Sequence, residues 1–445
     1  MRKFFIYFLF ILSVALFGFS LSPFSRQLFI NLGLMSEKVA ISGTGSMYPT
    51  FPKSEGVSDK AASRQIVAEP EMKRYPEGVK LFGFNLFTRN LQRGDIVEFE
   101  NDVTKKITVE KYNEESGFVK RVVALPGDEI EFRDGYFYLN GVIQLEPYIN
   151  KPRSTYGGSI VLDCQKIRIP RDSVFVLGDN RKASLDSRFE LGFVKINDIH
   201  HVLPIESQDQ YKKNFRDTSN DLNAAHTATA DSENFVSLLN KVRAQKNKPL
   251  LKLNNLLNKS GAIRAESILT KSNIGLEQSI KKSGYRNILY AELVISGYFD
   301  SAELLENLFE FPKSSSLLLS ETYQDIGLAA LLKDVNNCPT QAIVIHLGGY
   351  KAPDYPKANV ESWRSLIENI EQILPSWKNL LGADNIDQGK LKNLISILET
   401  RLNNAKKIYE VLRSNQWLSD EETAMMNRDK SLQEEAQDLI SQLNR

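Results

Sequence analysis

Phe118–Asp128 reads FVKRVVALPGD, a run of Phe and Val interrupted by two cations and closed by Pro-Gly-Asp. β-Branched and aromatic residues bounded by turn residues predict a strand. Strand alternation sets Lys120 on the same face as Phe118 and Val122 and points Arg121 away. Outward from this stretch, GDIVEFE, KITVEKY, DEIEF, YFYLNGVI, KIRIP and SVFVLGD repeat the composition between Gly94 and Pro204. With few helical periods between them, these segments predict a mostly antiparallel, all-β domain.

Upstream, Ile41–Thr50 reads ISGTGSMYPT, with Ser46 between Gly45 and Met47. Glycines at 43 and 45 allow backbone dihedrals closed to other residues, so a hydroxyl and nearby N–H groups can both approach a substrate carbonyl. Ser46 is therefore the candidate nucleophile, although Gly/Ser/Thr-rich stretches are also ordinary turns. A serine hydroxyl needs a base to take its proton as it attacks. No histidine is suitably placed, and a lysine serves only as a neutral amine, which burial favours by disfavouring the ammonium. Lys120, among Phe118, Val119, Val122 and Val123, has such a setting.

Four motifs in this order behind one apolar segment, ISGTGSMYPT, RGDIVEF (93–99), FVKRVVALPGD and VLGDNRKASLDSRFELG (176–192), closely resemble the type I signal peptidases. These are membrane-bound serine proteases with a Ser/Lys dyad, and the resemblance covers roughly residues 1–205. It implies that Ser46 attacks the scissile carbonyl and that Lys120 is general base, then general acid. Thr44 stands where the family carries a small residue, often serine, whose hydroxyl helps hold the oxyanion; the alternative is a turn residue bonding its own backbone. Ser184 matches the serine that hydrogen-bonds and orients the lysine. Asp186 and Arg188 match a pair that holds the site together, and Gly178, Asp179, Asn180 and Arg181 shape the loop beneath the dyad. Ala183 departs from the family, which often has Asn there.

Length and composition bound the rest. At 445 residues two or three units are expected. A net charge of +1 gives no support to nucleic-acid binding. The two cysteines, Cys164 and Cys338, fall in segments read as different domains; two buried free thiols are expected, with an interdomain bridge as the alternative outside the cytoplasm. His200, His201, His226 and His346 form no ligand spacing such as HExxH, so neither metal nor cofactor is predicted.

Arg2 and Lys3 precede the uncharged run Phe4–Ser25, long enough to cross a hydrocarbon core of about 30 Å. Residues 1–25 are expected to be a cytoplasmic N-terminus and single transmembrane helix in the plasma or inner membrane, with the catalytic domain, 36–205, outside the cytoplasm. A cleavable signal peptide is the competing reading. LFGFNLF, Leu81–Phe87, is a candidate contact with membrane lipid. Residues 206–231 are polar without an apolar period and read as a linker.

Residues 232–351 resemble the CAP, or SCP-like, domains in FVSLLNKVRAQKNKPLLKLNNLLNKSGAIRAES, GYRNILYAELVISG and YQDIGLAAL followed by AIVIHLGGY. The resemblance implies an α/β domain. The stretch where a second histidine usually falls reads FPKSSSLLL, so this domain is expected to bind or space rather than catalyse, with Glu292 either a remnant of the family cavity or an ordinary residue. Residues 359–445 are helical and charged. A stripe from Val360 to Leu374 ends at Pro375, and Leu391, Ile395, Leu398, Leu402, Ala405, Tyr409 and Leu412 have coiled-coil spacing. An intramolecular helical hairpin is one reading and self-association through these helices the other.

The sequence therefore predicts a multidomain, membrane-anchored serine endopeptidase acting on the signal peptides of exported preproteins. The alternatives are a membrane-tethered scaffold with a vestigial protease domain, or a dedicated processing protease with few substrates.

Overall fold

The strand Phe118–Ala124 lies inside a seven-stranded sheet, paired antiparallel with Ile96–Phe99 on one side and Ser173–Leu177 on the other. In this computed structural model, which describes residues 23–55, 60–81, 84–86, 88–223 and 230–443, the strand separates two cores. Val122 packs with Val97, Val176 and Val202, and Val123 with Phe132, Phe137 and Phe175. A strand covered on both faces reads as a nearly continuous apolar run, which is why FVKRVVA carries so little polar alternation.

The sheet runs Ser36–Lys38, Glu71–Arg74, Ile199–Leu203, Ile96–Phe99, Phe118–Ala124, Ser173–Leu177, Val194–Lys195. A second, four-stranded sheet runs Val142–Ile143, Tyr136–Leu139, Glu129–Arg133, Ile167–Arg168, its pairs all antiparallel. The expectation of a sheet-rich antiparallel domain is met. One element differs: KITVEKY lies in a helix, Asp102–Tyr112, and not in a strand. Asn101 caps it by accepting from Thr104 N while the Thr104 side chain returns a bond to the Asn101 N–H, and this reciprocal cap outweighs the β-branched residues that follow.

Contacts divide the chain into two compact units. The first holds Met1–Leu239, Ile295–Leu319 and Ala330–Ile343; the second holds Asn240–Val294, Ser320–Ala329 and Val344–Arg445. The stretch expected as one domain, 232–351, is thus shared between them. Its four-stranded sheet runs Lys252–Leu253, Asp325–Val335, Cys338–Gly349, Leu289–Ser296, with the first pair parallel. In the second unit the helices Lys357–Lys378, Gln388–Arg413 and Asp420–Leu443 share one core, where Ile370 and Leu374 meet Leu391, Leu394, Leu398 and Ala436. Pro375 does not end its helix, which continues to Lys378 and is closed at Asn379.

Of three other expectations, one is qualified, one changes and one falls largely outside the described residues. Residues 206–223 are mostly exposed but are tied to the β-domain at several points. Gln208 is buried and its amide donates to Gly94 O and Leu203 O, while the Arg216 guanidinium donates to Ile149 O at 2.8 Å. Gln208 and Arg216 thus satisfy backbone groups of the β-domain, while most of the other polar side chains of the stretch face solvent. Cys164 and Cys338 are not free thiols but a disulfide with Cα atoms 5.9 Å apart, and both lie in the first unit. The third concerns Phe4–Ser25, nearly all of which lies outside the described residues; among the described residues no helix is long and apolar enough to cross a membrane. LFGFNLF is likewise only partly described, its backbone pairing Val79–Leu81 with Phe84–Leu86.

The disulfide closes 174 residues of chain, and cross-links of long loops contribute roughly 2–5 kcal/mol, chiefly by constraining the unfolded chain. Replacing both cysteines by serine is expected to lower the thermal midpoint of the first unit by several degrees. Calorimetry of the oxidised, reduced and doubly substituted protein checks this, with the last two expected to coincide.

Candidate active site

Ser46 sits in a turn that its neighbours hold open. Gly45 has φ +76°, the left-handed region that favours glycine. Met47 and Phe51 anchor the turn in a core with Ile41 and Ile96. From the other side the end of the strand Ser173–Leu177 comes close: Asn180 N–H donates to Ser46 O at 3.1 Å. A Cβ on Gly178 would lie 2.4 Å from Ser46 O and 2.1 Å from Ser184 Oγ, so glycine there permits the approach.

Lys120 Nζ lies 3.0 Å from Ser46 Oγ and 2.9 Å from Val119 O. The amine is buried and sits 5.1 Å from the centre of the Phe118 ring, as the strand period predicts. Burial lowers its pKa to about 8, against the pull of the Asp186 and Asp179 carboxylates and with a smaller contribution from Lys111. A neutral amine here can accept the serine proton while donating to the Val119 carbonyl. Thr44 Oγ1 is 3.4 Å from Ser46 Oγ. Ser46, Lys120 and Thr44 open on a cleft of about 170 Å³, whose walls include Ile41, Phe51, Ile107, Tyr112, Ala183 and Leu185.

Three buried ion pairs support the loop after the strand Ser173–Leu177. Arg188 grips Asp186 through two bonds, Nε to Oδ1 at 2.8 Å and Nη2 to Oδ2 at 2.9 Å, and Asp186 Oδ2 accepts from Gly178 N. Burial opposes ionisation of Asp186, but Arg188 holds the carboxyl below its usual range. Arg121 forms two bonds to Asp179, at 2.8 and 2.7 Å, and Thr50 Oγ1 donates to the same carboxylate at 2.5 Å. Arg181 forms two bonds to Glu146, both 2.7 Å, and its Nε donates to Gly178 O. Asn180 Nδ2 donates to Gly45 O at 3.1 Å, tying this loop to the serine turn.

The structure thus brings Ser46, Lys120, Thr44, Asp179, Asn180, Arg181, Asp186 and Arg188 into one network. Ser184 is the exception. Its hydroxyl is buried, with no hydrogen-bond partner among the described residues and no bond to Lys120. Sequence reasoning missed Arg121, Glu146, Thr50 and Gln208. Arg121 points away from Lys120 as expected, but into a buried network, where its Nη1 donates to Gly94 O and Gln208 Oε1 at 2.8 Å each. The signal was available: a second cation in a strand covered on both faces requires a buried acceptor.

Glu292 belongs to the second unit. Its carboxylate accepts from Arg264 Nε at 3.0 Å and meets His346 Nε2 at 3.1 Å, while His346 Nδ1 is 2.6 Å from Ser260 Oγ. These contacts give Glu292 a structural role. Among the described residues no cluster of three or more histidine, cysteine or acidic side chains could hold a metal ion.

The sequence model of the family described as "Signal peptidase, peptidase S26" matches residues 9–203. A signal peptidase I from Bacillus caldolyticus is 44% identical over 94 residues, 20% of this chain and 51% of that protein. The chain spans about half to three-fifths of the length of the curated relatives it matches. The crystal structure of a signal peptidase I from Enterococcus faecalis V583 is 29% identical, covering 26% of this chain and 97% of that one with a TM-score of 0.19. A cysteine-rich secretory protein from Staphylococcus aureus subsp. aureus Mu50 shares 13% identity over 62% of this chain and 85% of that one, with a TM-score of 0.25, a likeness too slight to bear on residues 232–351. Over residues 9–203 the chain is thus similar to the type I signal peptidases.

Removing one member of a buried pair leaves the other uncompensated, at about 3–5 kcal/mol. Asp179→Ala is therefore expected to lower the urea midpoint of the full chain sharply, because Arg121 keeps its charge in a dry setting. The double variant Asp179→Leu with Arg121→Met is expected to recover most of that loss, which urea titration of the single and double variants checks.

Proposed function

We propose that the protein is a membrane-anchored serine endopeptidase that removes signal peptides from exported preproteins, cutting after small side chains. The observation that carries the reading is the 3.0 Å approach of a buried, easily deprotonated Lys120 amine to Ser46 Oγ at the floor of an open cleft. Lys120 takes the serine proton as Ser46 Oγ attacks the scissile carbonyl carbon. The oxyanion is held by the Ser46 N–H and the Thr44 hydroxyl, donors fixed before reaction. The tetrahedral adduct collapses as the C–N bond breaks, and the Lys120 ammonium protonates the leaving amine. Lys120 then deprotonates a water that attacks the acyl-enzyme, and the proton returns to Ser46 as the new carboxylate departs.

Asp179, Asn180, Arg181, Asp186 and Arg188 act as the frame for this pair, and Ser184 packs against Gly178 where it limits movement of the loop. Phe4–Ser25 anchors the chain with the catalytic unit outside the cytoplasm. A disulfide supports that side of the membrane, since such bonds persist in oxidising compartments. The CAP-like stretch and the C-terminal helices are read as binding or spacing elements, the helices packing on one another within the chain.

Two outcomes test this. Ser46→Ala and Lys120→Met are each expected to lower preprotein cleavage on the order of 10³-fold or more, as for any member of a cooperative unit. Retention of activity by both in a detergent assay would refute the dyad. The pH dependence follows from the base acting in its deprotonated form. With the pKa lowered to about 8, the rate is expected to level off above that value and to fall roughly tenfold per pH unit below it. A flat profile from pH 5 to 9 would exclude a lysine base.

A further inference from the structure

We propose that Glu303, Glu306 and Glu310, which lie about a hundred residues downstream of the signal-peptidase-like segment, are positioning residues for its catalytic pair, bracing the serine turn and the 178–184 loop from outside the cleft. The inference rests on the peptidase reading and concerns residues that all lie in the first compact unit.

The brace is the helix Ser301–Phe309, capped by Asp300, whose Oδ1 accepts from Glu303 N at 2.7 Å. Its anchorage begins just before. Tyr298 OH donates to Asp134 Oδ1 at 2.7 Å, and its ring stacks on Tyr156, 6.0 Å between centres. From there the helix reaches both loops of the site.

On the 178–184 loop, Lys182 is nearly buried, with Nζ 2.8 Å from Glu303 Oε1, bonded also to Tyr298 O, and 3.9 Å from the centre of the Phe299 ring. Asn307 Nδ2 donates to Lys182 O at 3.2 Å, so backbone and side chain are both held. The next residue, Ala183, lines the cleft. At the serine turn, Lys53 Nζ lies between two carboxylates, 2.7 Å from Glu306 Oε1 and 2.7 Å from Glu310 Oε1. The other oxygen of Glu310 accepts from Asn180 Nδ2 at 3.4 Å, and that same amide bonds Gly45 O. Glu310 is thus two hydrogen bonds from the backbone beside Ser46.

The partners are matched in charge and sheltered. Lys53 and Lys182 are the cations, and Glu303 and Glu310 are largely covered. Burial pushes the Glu310 carboxyl up even with Lys53 against it. None of these side chains borders the cleft itself. Their effect must therefore be felt in how Ser46 and Lys120 are held and not in how substrate binds. Misplacing reacting groups by about 1 Å can cost on the order of 10²-fold in rate.

The test uses the full chain in detergent, a preprotein substrate, and active-site titration so that kcat refers to folded enzyme. Lys53→Met and Glu310→Gln are each expected to lower kcat about 10- to 100-fold with KM within about threefold. Lys53→Arg, which keeps the cation between the two carboxylates, is expected to retain most of the rate. The inference is overturned if either variant keeps the wild-type kcat per titrated site, if the loss falls on KM, if Lys53→Arg is as poor as Lys53→Met, or if only the yield of folded protein changes. A wild-type chain that cleaves no preprotein would instead refute the peptidase reading, before any variant is compared.

Discussion

The proposed mechanism turns on keeping one buried amine, that of Lys120, uncharged. Lowering a lysine from its ordinary value to about 8 corresponds to roughly 3 kcal/mol against the ammonium. Burial among Phe118 and the strand supplies it, and two carboxylates act in the opposite sense. Asp186 and Asp179 would draw the proton back if their charges were bare. Each is instead held by two bonds from an arginine, Arg188 and Arg121. The ion pairs beneath the dyad therefore have two effects at once: they shape the loop and they mute the field that would recharge the base. Paired buried charges are weak evidence for net stability, so their place here is better understood through that electrostatic effect.

The same logic explains which parts of the molecule were legible in the sequence. The β-domain was readable because its strands are short apolar runs punctuated by turn residues. The Ser46–Lys120 meeting was readable from motif order and from the two-residue period that sets Lys120 beside Phe118. Asp102–Tyr112 was not, because its β-branched residues mimic a strand and only the Asn101–Thr104 cap reveals the helix. The bond between Ser184 and Lys120 was expected from resemblance alone, and the hydroxyl is instead buried over Gly178.

Polar residues misled for a different reason. The composition of 206–223 resembles a solvated tether, yet Gln208 completes the coordination of Arg121 and Arg216 bonds the backbone at Ile149. Composition reports how much polarity a segment carries, and only the fold reports whether water or a buried partner satisfies it. The two cysteines pose the same problem at longer range. A separation of 174 residues says nothing about proximity until the chain between them has folded back. Likewise, a boundary drawn at residue 232 follows a change of composition, while Ile295–Leu319 and Ala330–Ile343 return to the first unit.

The Cys164–Cys338 link also alters what a cut in the backbone would mean. The chain between the two sulfurs includes the exposed polar residues Asp217, Ser219 and Asn220, and exposed polar stretches are where proteases open a chain first. A nick there would not release a shorter chain. The two pieces would remain a single covalent particle, separating on a gel only after a thiol is added, so the apparent size of the intact species under non-reducing conditions would conceal the break.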